Sequence, residues 1–143
     1  MVRYITLDSS VIIAALREQE EKHEVCKKLL ERVKDGEFVA LEPYTVLVEV
    51  VAAIKRRTKS KSLAERVKND LENIDTIIFS DLISSRADSA AELAKETDVK
   101  GMDAIVVQIA KEFNAPLVSL DGEMTKRAKL VVKIVNIEDT AIL

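Results

Sequence analysis

The sequence contains no tryptophan, a single cysteine (Cys26) and a single histidine (His23). One cysteine excludes an intramolecular disulfide and any thiolate zinc site, and one histidine excludes a histidine-rich metal centre. Cys26 reads as a core filler and His23 as a surface residue. Aromatic residues make up only 3% of the chain, so its core must be aliphatic. A basic excess is also missing: the net charge is -3 and the sequence pI about 5.3. Any polyanionic partner would have to be met by a local field, since what counts at a binding surface is the distribution of charge and not its sum. The N-terminal residues run straight into a strand pattern, and no apolar run reaches membrane length, so a location in the cytoplasm, away from the membrane, is expected. With 143 residues, 48% of them hydrophobic, the chain fits one globular domain over 1–143 that hides roughly 70% of its unfolded surface.

What is present is an alternation of short β-rich runs with longer helical ones, without linker, repeat or low-complexity tract. Strands are expected at Tyr4–Leu7, Phe38–Leu41, Thr76–Phe79, Leu117–Leu120 and Val131–Val135. Helices are expected at Ser9–Leu16, Glu21–Asp35 (stopped by Gly36), around Val46–Ile54 and at Asp81–Lys95. A further helix should open at Ser62-Leu63-Ala64-Glu65, which reads as a capping box. Another, Asp103–Phe113, is nearly all apolar and ends at Asn114 and Pro116. Strands alternating with helices imply βαβ units and a parallel sheet covered on both faces. In such sheets, sites form outside the carboxyl ends of the strands.

Four acids stand where that rule directs attention. Asp8 directly follows the first strand and Asp121 the fourth. Asp103 stands at the start of an apolar helix. Each has a plain alternative, as a helix N-cap or, for Asp121-Gly122, a turn. Glu49 is harder to explain that way. It sits in Val46-Leu47-Val48-Glu49-Val50-Val51-Ala52-Ala53-Ile54, with apolar residues three and four positions away, and a packed, unpaired carboxylate is costly. An exposed stripe or a distant lysine partner is the alternative there. Jointly, the four acids can converge on one rim of the sheet, where they would repel unless divalent cations neutralised them. Oxygen-only ligands suit Mg²⁺ or Mn²⁺ and not zinc.

At these residues the chain resembles the PIN-domain family, and within it the VapC-type toxins. The resemblance rests on Leu7-Asp8-Ser9-Ser10-Val11-Ile12-Ile13, Val48-Glu49-Val50, Met102-Asp103-Ala104-Ile105-Val106 and Val118-Ser119-Leu120-Asp121. Each motif is short; their order, their spacing and the total length carry the specificity. The resemblance implies a three-layer α/β/α fold with a central parallel sheet of roughly five strands, and Mg²⁺- or Mn²⁺-dependent hydrolysis of phosphodiester bonds, usually in RNA. Asp8 and Asp103 would be principal metal ligands, completed by Glu49 and Asp121. Ser10 and Ser119 would hydrogen-bond the ligands and orient them. It further implies a homodimer and a cognate antitoxin protein as partner; the apolar surface of the amphipathic segment Ser62–Ile74 and of the preceding helix makes them the expected dimer interface.

Phosphate contacts need cations. Lys55, Arg56 and Arg57 follow the helix of Glu49, and Lys126 and Arg127 follow Asp121, so both clusters can flank the acids and track a nucleic-acid backbone. Solvated helix ends, favoured there by the macrodipole, are the alternative. Two other functions stay open: a non-catalytic scaffold of the same fold, and a stand-alone RNA-processing nuclease. A receiver-like phosphoacceptor should show an adjacent acidic pair near the N-terminus. Asp8 has no acidic neighbour, and the second strand runs into Leu41-Glu42-Pro43.

Overall fold

The structure, a computed structural model, describes residues 2–143, with the side chain of Ile142 left out; Met1 lies outside the described residues. Four strands, β1 (Tyr4–Leu7), β2 (Val39–Pro43), β3 (Ile77–Ser80) and β4 (Leu117–Val118), form one sheet in the order β3-β2-β1-β4, with every neighbouring pair parallel. The helices are α1 (Ser9–Leu16), α2 (His23–Lys34), α3 (Tyr44–Thr58), α4 (Lys61–Glu72), α5 (Ser84–Thr97), α6 (Gly101–Glu112) and α7 (Gly122–Ala128), followed by a 3-10 turn at Ile137–Ile142. Successive crossovers run outward from β1 through β2 to β3, and the last returns to the other side of β1. Right-handed crossovers therefore place α1 to α4 over one face and α5 and α6 over the other. The winding changes direction between β1 and β4, and in open parallel sheets that is where the carboxyl ends leave a crevice.

The core is aliphatic, as the scarcity of aromatics requires. Ile5, Leu7, Val11, Val33, Val46, Val50, Val106, Val107 and Leu117 have no measurable exposure. Cys26 is buried among them, and burial pushes its thiol up to about 11. His23 is not a surface residue: it is buried, with Nδ1 2.8 Å from the carbonyl of Ala14, so it ties the start of α2 to α1.

Two further expectations need correction. The sheet has four strands and not five. Val131–Val135 lies beside β4 but makes only one bridge, Ile134 to Leu117. The amides of Val131 and Val132 both turn back to the carbonyl of Ala128, closing off α7, and the Asn136 side chain caps the 3-10 turn that follows. Only Lys133 and Val135 remain to pair with Leu117.

The expected capping box at Ser62 lies two residues too late. Ser60 is the N-cap of α4, its Oγ accepting from the Leu63 amide at 3.0 Å. Ser60→Ala should therefore cost about 1 kcal/mol in a urea melt, the usual worth of such a cap, and Ser62→Ala close to nothing. Equal losses would return the cap to Ser62. The apolar stripe on α4 is largely used within the chain, since Val67 and Leu71 are buried against α3 and only Leu63 is exposed. The exposed apolar residues of the expected dimer contact are Leu63 on α4 and Tyr44 and Val48 on the preceding α3.

Candidate active site

Asp8 leaves the sheet at the carboxyl end of β1 and takes the N-cap position of α1, yet its side chain makes no capping bond. Instead Oδ2 accepts from Ser10 Oγ at 2.7 Å and from Ser119 Oγ at 2.9 Å. The same two hydroxyl oxygens accept backbone amides, Leu120 N onto Ser10 Oγ at 3.1 Å and Asp121 N onto Ser119 Oγ at 3.0 Å. This closed set of bonds ties the ends of β1 and β4 together. It also explains why β4 stops at Val118: the next amides are spoken for by side chains. Asp8 is only 5% exposed, and its Oδ1 accepts no hydrogen bond among the described residues.

The other three acids arrive from different elements. Asp121 is the N-cap of α7, with Oδ1 accepting from Glu123 N and Met124 N; the capping reading holds for this oxygen and leaves Oδ2 available. Asp103 is no cap, because Lys100 holds that position and Asp103 is the third residue of α6. Glu49 stands on the border of α3's packed face, with Val46 and Ala53 buried on one side and Val48 and Ala52 exposed on the other. It is half-buried and not enclosed. All four line one hollow of about 360 Å³ at the carboxyl end of the sheet. A larger hollow of about 530 Å³ adjoins it through Glu20 and Leu120 but holds none of the four.

The electrostatics follow from the crowding. Burial first, then the charges of Asp8 and Asp103, push the Glu49 carboxyl above the usual range. Burial, then Asp8 and Asp121, push Asp103 the same way, with Lys100 opposing. A cation in the hollow would relieve both. The donors are hard oxygens throughout, which fits Mg²⁺ or Mn²⁺. Among the described residues, no three acids lie close enough to grip a bare ion.

The basic residues divide. Arg57 lines the hollow itself. Arg127 lines an adjoining hollow of about 180 Å³ with Lys100, Asp103 and Asp121, its Nη1 donating to the carbonyl of Asp98 at 2.9 Å. Lys55, Arg56 and Lys126 are exposed and line neither.

Sequence reasoning missed three residues. Lys100 and Glu20 carried no spacing signal. Glu42 did: a carboxyl inside Val39-Ala40-Leu41-Glu42-Pro43 invites the argument made for Glu49. It is fully buried, its Oε2 accepts from Leu7 N at 2.7 Å, and its Oε1 has no partner. Burial, with a smaller push from Asp8 and against the pull of the Leu7 amide, lifts its carboxyl well above the usual range. The side chain thus stands beside the Leu7 amide, where a β1–β2 ladder bond would otherwise be, and burial favours its protonated form.

Solved structures with the same fold include the VapC20 toxin of Mycobacterium tuberculosis, described as cleaving the sarcin-ricin loop (17% identity, TM-score 0.72, covering 85% of this chain and 93% of that one). Others are the VapBC2 complex of Rickettsia felis bound to promoter DNA (16%, 0.67, 93% and 98%) and a toxin-antitoxin complex from Klebsiella pneumoniae (18%, 0.69, 93% and 97%). No curated protein sequence matches this one. The family profile described as the PIN domain matches residues 5–130, nearly the whole span that carries the sheet and all four acids, and the chain belongs to that family.

Proposed function

We propose that the protein is a divalent-metal-dependent endoribonuclease that hydrolyses RNA phosphodiester bonds, and that it is the toxin of a toxin-antitoxin pair. The observation that carries this reading is the convergence of Asp8, Glu49, Asp103 and Asp121, from four separate elements, on one hollow. Membership of the PIN family supports it. So does the likeness in fold to a toxin described as cutting the sarcin-ricin loop and to toxin-antitoxin complexes, the ground for expecting an antitoxin partner.

Asp8 and Asp103 would hold the ion, with Glu49 and Asp121 completing its surroundings directly or through water. When bound, Mg²⁺ or Mn²⁺ supplies Lewis acidity for attack of water on phosphorus. The serine hydroxyls on Asp8 Oδ2 fix the orientation of its open oxygen. In the metal-free site Glu49 holds its proton more tightly than an ordinary glutamate, through burial and the charges of Asp8 and Asp103, and its carboxyl would release that proton and join the ion's surroundings when a cation binds. Arg57, at the edge of the hollow, meets the charge of the RNA backbone.

Manganese should raise the melting temperature. At a concentration a hundred times its dissociation constant, binding to the folded state adds about 2.7 kcal/mol, or roughly 5–10 °C for a domain of this size. Asp103→Asn should shrink that response. Affinity should also rise with pH, because the protons that Glu49 and Asp103 hold above the ordinary carboxylate range must leave before the ion binds. Titration calorimetry at several pH values tests both points. A wild type that takes up no divalent ion at millimolar metal would leave the scaffold reading in possession of the fold.

A further inference from the structure

Arg57 is, among the described residues, the one cation lining the hollow of the four acids. It lies eight residues beyond Glu49 on α3, about 12 Å along the helix axis. An unrestrained guanidinium at that distance would be drawn onto the carboxylates and compete with a metal ion for them. The structure holds it elsewhere: Arg57 Nη1 donates to Glu20 Oε1 at 2.5 Å.

Glu20 belongs to the short loop between α1 and α2, and that loop is pinned. The Glu20 amide donates to the carbonyl of Arg17 at 3.1 Å, and the Glu20 carbonyl accepts from the His23 amide at 3.1 Å. His23 is itself buried and bound to the carbonyl of Ala14. Arg17 Nη1 stands 3.7 Å from the same Glu20 oxygen, so the carboxylate is held from two sides. Glu20 lines both the acid hollow and its larger neighbour, which places the ion pair at the boundary between them.

We propose that Glu20 and Arg57 form a phosphate subsite at this boundary. Arg57 binds a backbone phosphate of single-stranded RNA next to the reacting one, and Glu20 is the positioning residue that aims it there and keeps it off the metal-binding acids. The proposal rests on RNA being the substrate of the adjoining hollow. Only one guanidinium nitrogen is engaged by Glu20 at hydrogen-bond distance, so the remaining N–H groups of the fork are left to take phosphate oxygens.

The test measures binding of a fluorescein-labelled single-stranded RNA 12-mer by anisotropy in EDTA, where divalent-dependent cutting is stopped. Arg57→Ala should weaken binding roughly tenfold or more, as expected for loss of hydrogen bonds to a charged group. It should also flatten the plot of log affinity against log salt by about 0.7, one single-strand phosphate. Glu20→Gln should weaken binding in the same direction, and Glu20→Asp should recover most of the loss. In an Arg57→Ala background, Glu20→Gln should change nothing further. In cleavage assays with metal, the Glu20→Gln loss should fall on KM more than on kcat. Unaltered binding by Arg57→Ala, an undiminished Glu20→Gln effect without Arg57, or no RNA binding by the wild type would each overturn the proposal. A protein that bound RNA through Arg57 but never cut it would instead overturn the nuclease reading.

Discussion

Exchange of Asp103 for alanine should lower RNA cleavage by about three orders of magnitude or more while leaving the metal-free protein as stable as the wild type, or slightly more so. The first half follows from the several kcal/mol of charge stabilisation that a bound cation supplies to phosphoryl chemistry. The second follows from the site's own repulsion. Asp103 accepts no capping bond, its carboxyl is pushed up by burial and by Asp8 and Asp121, and removing it relieves that pressure. Asp8→Ala should be equally inactive but less stable, because it strips the acceptor from two hydroxyls, Ser10 and Ser119, that are packed around it. Paired cleavage rates and denaturant melts would separate the two variants. A loss of about 1 kcal/mol from Asp103→Ala in the metal-free protein, with cleavage intact, would make that residue a helix cap after all.

Glu42→Gln should stabilise the protein at neutral pH and do little near pH 4. The folded chain holds the Glu42 proton well above the ordinary carboxylate range, whereas the unfolded chain releases it at about pH 4.3. Below that value both states carry the proton and stability is independent of this group. Above it only the unfolded state ionises, so stability falls as pH rises, by up to about 1.4 kcal/mol per pH unit until the folded pKa is reached. Glutamine has the same shape and an oxygen for the Leu7 amide, but no proton to lose. Melting temperatures of the two proteins should therefore diverge with rising pH. Parallel profiles would mean that Glu42 is charged in the fold. Glu42→Ala should be destabilising at every pH, since it orphans the Leu7 amide and opens a void.

The parts of the fold legible in the sequence were those where one pattern acts alone. β1 and α1 fall where the run Tyr4–Leu7 and the helix Ser9–Leu16 were expected, because Asp8 divides them cleanly. Gly36 ends its helix with a φ of 84°, a conformation that costs glycine little. Elements were misjudged where side chains take over backbone bonds. Val131–Val135 has β-branched residues in a row, yet its first amides are committed to the end of α7. Leu120 is a good strand residue whose amide goes to Ser10. Neither competition can be read from propensity. Of the candidate site, the four acids were recognisable because they recur at strand ends and on apolar helices. Glu20 could not be found that way, since it lies in a loop and gains its meaning from a residue 37 positions later. Glu42 falls just past the expected strand Phe38–Leu41, whereas β2 runs on to Pro43 and carries the carboxyl into the sheet.

The pairing of β1 with β4 has a consequence in time. Thr6 and Leu7 find their partners in Leu117 and Val118, so the first strand synthesised waits for almost the last. Until that final docking, Asp8 lacks Ser119, and Asp121 is not beside it. Contacts of such long sequence separation form slowly and late. On a growing chain Asp8 therefore stands apart from Ser119 and Asp121, and the hollow can close only once β4 and the residues up to Asp121 are free to dock. For the proposed ribonuclease, assembly of the four acids would thus be among the last steps of folding.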